Sequence, residues 1–160
     1  MVRRFVPVVR RRVGVVVLGL MTGIFSAGVA NAQDAPKANP YIFAGEGALL
    51  LNFIKADHAA DYEMILGKLK EALQKSEKPE RKQQAASWKI FKANEAGAGG
   101  AVIYVSVVYP AVKGADYTVS TILAEGFPTE AQDLYKKYAE SFGTPSGNLL
   151  NLALFSDLGK

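Results

Sequence analysis

The chain has 160 residues, no cysteine and a net charge of +4. The lack of cysteine excludes disulfides, thiolate metal sites, a cysteine nucleophile and a lipid anchor at a lipobox. The positive excess lies in the first 32 residues, which hold five arginines and no acidic residue, whereas the 128 residues from Gln33 onward carry 14 basic and 15 acidic groups. The larger part of the chain therefore shows no basic surface for nucleic acid.

The N-terminus has the three parts of a secretory signal peptide. A basic segment ends at Arg12, an uncharged apolar segment covers 13–29, and Ala30-Asn31-Ala32 supplies the small residues that a signal peptidase reads. We predict cleavage before Gln33 and a secreted or periplasmic protein. Two alternatives stay open: an uncleaved anchor, for which the apolar segment is at the short limit, and twin-arginine export in place of the general secretory route.

The segment 33–47 is predicted to be a tether, because it contains Pro36, Pro40 and two glycines. Tyr41, Ile42 and Phe43 interrupt it and are expected to contact the domain. Residues 48–160 are predicted to form one domain, since this length is sufficient to bury a core without covalent cross-links.

The first half of the domain reads as a strand followed by a helix. The run ALLLNFI at 48–54 has the length of a strand. The segment 57–76 is predicted to be a helix, because apolar residues recur on one face at spacings of three and four: Tyr62, Ile65, Leu66, Leu69 and Leu73. The charged stretch 75–82, with Pro79, is interpreted as a solvated loop.

Two strands, 87–93 and 101–109, flank the glycine-rich segment NEAGAGG and are predicted to form a hairpin. Helices are then predicted at 116–125 and 129–142, followed by a last strand at 148–155. The order is β-α-β-β-α-β, which is the ferredoxin-like α+β arrangement: an antiparallel sheet with helices on one face and spatial strand order 4-1-3-2.

Alternate residues of these strands fall into two sets that point to opposite faces of the sheet. One set is wholly apolar and is predicted to meet the helices: Leu49, Leu51, Phe53, Ile103, Val105, Val107, Leu150, Leu152 and Leu154. The other set is mostly apolar and is predicted to face outward: Leu50, Asn52, Ile54, Val102, Tyr104, Ser106, Val108, Leu149, Asn151, Ala153 and Phe155. An apolar outer face is too large for a soluble monomer to expose, so a second copy is expected to cover it.

This element order and patterning over 48–156 resembles the dimeric α+β barrel superfamily, which includes cofactor-free monooxygenases of the antibiotic-biosynthesis type and muconolactone-isomerase-like enzymes. The resemblance implies a homodimer, no cofactor, and a small apolar or aromatic molecule bound between sheet and helices or within the barrel. The additional segment 112–127 departs from the usual pattern of that superfamily.

The candidate ligand-binding residues are the polar groups on the predicted outer face. Asn52, Ser106 and Asn151 lie at the middle of neighbouring strands, and Tyr104 and Trp88 add a phenol and an indole. Such groups orient a ligand in an apolar pocket. The alternative is that they pair with each other or with water across a dimer interface, since buried polar groups need partners.

His58 is the single histidine. It is the sixth candidate ligand-binding residue and suits a general base near neutral pH; the alternative is an exposed residue in the first turn of a helix. One histidine with scattered acids does not predict a metal site, and no catalytic set is identified. We therefore expect an exported homodimer that binds a small molecule or a partner. The alternative is a cofactor-free oxygenase or isomerase acting on an aromatic or enolisable substrate.

Overall fold

The computed structural model describes residues 38–159. This part is α+β, with four strands and four helices. The elements are β1 (Gly47–Ile54), α1 (Ala59–Lys75), α2 (Pro79–Ser87), β2 (Trp88–Ala96), β3 (Val102–Val108), α3 (Val119–Gly126), α4 (Ala131–Ser141) and β4 (Phe142–Leu152). Short 3-10 turns lie at Ala56–His58 and Ala98–Gly100. The signal peptide predicted at 1–32 lies outside the described residues, and within 38–159 no helix is long and apolar enough to cross a membrane.

The four strands form one antiparallel sheet in the order β2-β3-β1-β4. Read from the β4 edge, this is the spatial order 4-1-3-2 that the sequence predicts. The element order along the chain departs from β-α-β-β-α-β, because each connection between β1 and β2 and between β3 and β4 contains two helices. Both helices of the second connection were predicted, whereas α2 in the first was not. The glycine-rich segment joins β2 to β3 as expected for a hairpin, and Gly99 and Gly100 adopt φ values of 66° and 79° in its turn.

Helix α2 lies partly in the segment predicted to be a solvated loop, and that prediction is wrong. Pro79 occupies the first turn of the helix, where its fixed φ is favourable. The helix turns polar residues inward, and Arg81 is only 4% exposed. Its guanidinium donates from Nε and Nη2 to Glu125 at 3.0 and 2.9 Å and from Nη1 to Gln84 Oε1 at 2.7 Å. Because ion pairing replaces apolar packing here, the sequence shows no hydrophobic periodicity.

Strand β4 begins at Phe142, six residues before the predicted start, and follows α4 without a loop. Gly143 and Pro145 are residue types typical of the end of a helix. Instead the segment pairs with β1, with Phe142 opposite Ile54 and an irregularity between Asn52 and Ile54. Pro145 is tolerated because β4 is an edge strand.

The assignment of the two sheet faces is inverted relative to the prediction. Ile54, Tyr104 and Val108 are buried under helices or loops, so the set that includes Asn52 and Ser106 faces inward. The wholly apolar set faces away from the helices, and Leu51 is paired there with Val105. This outer sheet face carries nine apolar side chains: Leu49, Leu51, Phe53, Phe91, Ile103, Val105, Val107, Leu150 and Leu152.

The core is built in three connected parts. One part joins α1, α3 and α4 through residues such as Leu69, Ile122 and Leu134, and another joins α1 to the sheet through Tyr62 and Tyr104. The third part buries Phe43, which belongs to the segment predicted to be a tether. Its ring lies 4.9 Å from that of Tyr117. The end of that segment therefore packs against the domain, as the apolar residues in it suggested.

Candidate functional site

A cavity of about 350 Å³ lies between the inner face of the sheet and the helices. We call it the interior cavity. Aromatic rings and aliphatic side chains form most of its wall: Tyr41, Leu50, Tyr62, Leu66, Leu69, Trp88, Ile90, Tyr117, Val119, Tyr135, Tyr138, Phe142 and Leu149. The volume falls in the ordinary range for small-molecule sites.

Strand pairing and helix periodicity together bring these side chains to one place. Leu50 lies opposite Ser106, and Ser106 lies opposite Ile90 on β2, so the three share the inner face. On α1, Tyr62, Leu66 and Leu69 are spaced by four and three residues and therefore face the sheet together.

An aromatic cluster closes one end of the interior cavity. The Tyr62 ring lies 4.8 Å from Tyr104, 6.0 Å from Tyr138 and 5.9 Å from Phe142, measured between centroids. Burial raises the pKa of the Tyr62 and Tyr138 hydroxyls far above the ordinary tyrosine value, and a contact from Asn52 acts in the opposite direction on Tyr62. Both phenols therefore remain protonated and neutral.

A small number of polar side chains interrupt the apolar wall. Asn52 on β1 and Ser106 on β3 lie on the floor, Thr118 and Ser120 lie at the start of α3, and Ser146 and Asn148 border the cavity from the middle of β4. The described residues that line the interior cavity include no acidic, basic or imidazole side chain. The cavity is thus suited to an uncharged molecule, because an isolated ion in such a place would lose its hydration without gaining a counter-charge.

A second cavity, of about 460 Å³, lies between α1 and the edge strand β2. We call it the edge groove. Leu66, Leu69, Trp88 and Ile90 line both cavities and form the wall between them. The indole nitrogen of Trp88 is buried and has no hydrogen-bond acceptor within residues 38–159.

A charged cluster lies at one end of the edge groove. Glu63 Oε1 accepts a hydrogen bond from Tyr104 Oη at 2.7 Å and from Lys92 Nζ at 2.8 Å. These bonds lower the pKa of Glu63 below the ordinary glutamate value. Burial, followed by the bond to Glu63, raises the pKa of Tyr104. The cluster is therefore a carboxylate held by a neutral phenol and an ammonium group.

The six predicted ligand-binding residues are divided among several places. Asn52, Ser106 and Trp88 line the interior cavity, and Tyr104 and Trp88 line the edge groove. Asn151 lies opposite Ala48, is exposed and lines neither cavity, so it does not join Asn52. His58 ends the 3-10 turn before α1, is half-buried and also lines neither cavity.

Four residues of these sites did not emerge from the sequence: Tyr62, Tyr138, Glu63 and Lys92. The two tyrosines lie on the apolar faces of the predicted helices, and they would have been identified if those faces had been interpreted as the lining of a ligand cavity. The pairing of Glu63 with Lys92 depends on how α1 crosses β2, for which the sequence holds no signal. Within residues 38–159 no group of three or more histidine, cysteine, aspartate or glutamate side chains is arranged to hold a metal ion.

Comparison of the chain with family models, with curated proteins and with solved structures found no match.

Proposed function

We propose that this chain is an exported homodimeric domain that binds a small, uncharged and largely apolar molecule in the interior cavity. The observation that carries the proposal is the wall of that cavity, which combines aromatic rings with a few amides and hydroxyls and no charged side chain. Ligand sites of this kind obtain affinity from apolar contact and orientation from a few polar groups. Asn52 and Ser106 would orient the ligand in this site.

The proposed partner is a second copy, bound through the outer sheet face. Four strands about 4.8 Å apart and seven residues long give a face of roughly 19 by 23 Å, which is as large as the biggest apolar patches on monomers, about 300–600 Å². Phe91 and Leu150 on this face are more than half exposed. Among the residues that strand pairing places on this face, Lys89 is charged, so the face has little to attract a charged partner. Its apolar character suits face-to-face packing of two identical sheets.

The residues after β4 carry further exposed apolar side chains. Phe155 and Leu158 are almost fully exposed, and Leu154 is about half exposed. An ordinary protein interface buries about 800 Å² per partner, so these side chains would bring the sheet face closer to that area. The proposed assembly is a dimeric α+β barrel made of two ferredoxin-like units.

Calorimetric titration with 2-naphthol and with 2-naphthoate tests the proposed ligand class. The two probes share a bicyclic ring, but one is neutral at pH 7 and the other is an anion. We expect 2-naphthol to bind once per protomer and at least tenfold more tightly than 2-naphthoate. Ser120→Phe, which places a ring at the cavity wall, should abolish this binding. Equal affinity for the two probes, or unchanged binding to Ser120→Phe, would contradict the proposal.

The second candidate is a cofactor-free oxygenase or isomerase, in which Asn52, Asn151, Tyr104 and His58 would polarise the substrate or move a proton. Asn52 alone of these lines the interior cavity, so the geometry favours binding without chemistry. A screen of wild type against Asn52→Ala and His58→Ala separates the two functions, because turnover that is lost in both variants would establish the enzyme.

The proposed location is the periplasm or the exterior of the cell, after removal of residues 1–32. The mass of the protein recovered from the exported fraction tests this directly. A new N-terminus at Gln33 is expected, and an intact N-terminus in the membrane fraction would indicate an anchor.

A further inference from the structure

The edge groove has a chemistry different from that of the interior cavity. Its floor is apolar and includes Leu66, Leu73, Trp88 and Ile90, whereas its rim carries Glu63, Lys70 and Lys92. The interior cavity has no charged residue among its described lining. The two cavities therefore select for different molecules, although they share a wall.

The rim of the edge groove has a surplus of positive charge. Glu63 is already engaged by Lys92 and by the Tyr104 hydroxyl. Lys70 lies about two turns further along α1, and within residues 38–159 its ammonium group has no hydrogen bond or ion pair with another side chain. One carboxylate thus faces two ammonium groups, which leaves one cation available above an apolar floor.

The shape of the edge groove suits a linear molecule. Its lining runs from Glu63 to Gln74 along α1, a distance of roughly 16 Å at 1.5 Å per residue. Gly67 lies at the middle of this line, and no atom lies within 4 Å of the position that its Cβ would take. The absence of a side chain there leaves room beside Lys70 and the floor.

We propose that the edge groove is a second ligand site, which takes an amphipathic anion of the medium-chain carboxylate class. The alkyl chain lies along Leu66, Leu73 and Ile90, where it is removed from water, and the carboxylate meets Lys70, with Lys92 adding attraction at longer range. This site does not depend on the one proposed for the interior cavity, because no residue of the charged rim lines that cavity.

The test uses decanoate, decanol and decylamine as probes of equal chain length. Trp88 is the single tryptophan of the chain and lines both cavities, so its fluorescence reports binding in either one. We expect decanoate to bind most tightly, decanol less tightly and decylamine least. Lys70→Gln should weaken decanoate about two- to fivefold, the effect of one exposed ion pair, and should leave decanol unchanged. Lys136→Gln on α4, which lines neither cavity, is the matched control and should have no effect.

A second variant locates the bound chain. Gly67→Phe places a ring in the groove at an exposed helix position, so it should abolish decanoate binding while preserving both the circular dichroism spectrum and the binding of 2-naphthol. Decanol is uncharged and also suits the interior cavity, so its affinity for the edge groove is taken from the part of the Trp88 signal that Gly67→Phe abolishes. The inference is overturned if decanol binds in the edge groove as tightly as decanoate, if Lys70→Gln and Lys136→Gln behave alike, or if Gly67→Phe still binds decanoate. None of these results depends on whether 2-naphthol binds.

Discussion

Asn52 on β1 lies directly opposite Tyr104 on β3, and both side chains face the helices. The two residues line different cavities: Asn52 lines the interior cavity, and Tyr104 lines the edge groove. Two adjacent polar positions of one sheet thus serve two different sites, and substitutions at them should have separable effects.

Replacing Asn52 with leucine tests its role in the interior cavity. The amide is half-buried beside the Tyr62 phenol, so its loss removes a hydrogen-bonding group from the wall while the apolar surroundings accept the new side chain. We expect 2-naphthol affinity to fall about two- to tenfold, the contribution of one hydrogen bond, and stability to change by less than about 1 kcal/mol. Titration calorimetry and urea unfolding measure the two quantities. A loss of decanoate binding as well would mean that the two cavities are not separate sites.

A charge at the centre of the outer sheet face should dissociate the proposed dimer. Val105 lies on that face opposite Leu51, and Val105→Lys would place an ammonium group in the middle of an apolar interface. Sedimentation analysis at micromolar concentration should show a dimer for the wild type and a monomer for the variant, with an unchanged circular dichroism spectrum. Met64→Lys is the control, since Met64 is exposed on α1 and away from the sheet face. A wild-type monomer at this concentration would contradict the proposed assembly.

The Arg81–Glu125 pair should make stability depend on pH. Hydrogen bonds from Arg81, with Lys78 adding to them, lower the pKa of Glu125 below the ordinary value of 4.5. A carboxylate with a lowered pKa in the folded state stabilises the protein above its unfolded pKa, and this contribution is lost as the pH falls through the folded value. The unfolding free energy of the wild type should therefore decrease below about pH 4.5. The unfolding free energy of Glu125→Gln should decrease less steeply over the same pH range.

At pH 7, Glu125→Gln should lower the unfolding free energy by about 1–3 kcal/mol, because the buried guanidinium of Arg81 loses its charged partner. The lower part of this range is expected, since a third of the Glu125 side chain is in water. Glu80→Gln, an exposed residue in the first turn of α2, is the control and should change neither quantity. Equal stability of the two variants at pH 7 would show that the pair does not hold α2 to α3.

Two helical glycines should respond in opposite directions to replacement by alanine. A Cβ at Gly67 meets no atom within 4 Å, so Gly67→Ala should stabilise the protein by about 0.5–1 kcal/mol through the higher helix propensity of alanine. A Cβ at Gly126 would lie 2.5 Å from that of Ala72, so Gly126→Ala should separate α3 from α1 and destabilise the protein. Thermal unfolding of both variants gives the signs. Stabilisation by Gly126→Ala would mean that α1 and α3 can move apart at little energetic cost to accommodate the new Cβ.

The sequence predicted which strand residues share a face, but not which face meets the helices. Leu51 and Val105 were assigned to one face, and the strand pairing places them there. Their orientation was wrong because both sets are largely apolar, and a period of two carries no information about which side is covered. The interior cavity was missed for the same reason, since Asn52 and Ser106 were expected to point away from Tyr62.

Helix α2 and the start of β4 could not be predicted for another reason. Arg81 and Gln84 are buried through hydrogen bonds with distant residues, so the apolar pattern on which helix prediction depends is missing. The first residues of β4 take strand geometry because they pair with β1, in spite of Gly143 and Pro145. Tertiary pairing decides the local structure in both cases.

The apolar character of both sheet faces has a consequence before folding is complete. A slip of β1 by one residue against its neighbours would still place aliphatic side chains on either side, so hydrophobic contact alone penalises the wrong pairing weakly. Gly147 opposes such a slip, because its φ of 150° and its close approach to the Leu51 carbonyl exclude other residues at that position. Until β4 has paired, the runs at 48–54 and 102–109 are uncharged, rich in strand-forming residues and able to associate with those of other chains. The chain must therefore be kept apart from its copies until the sheet is complete, and the proposed dimer can form only afterwards.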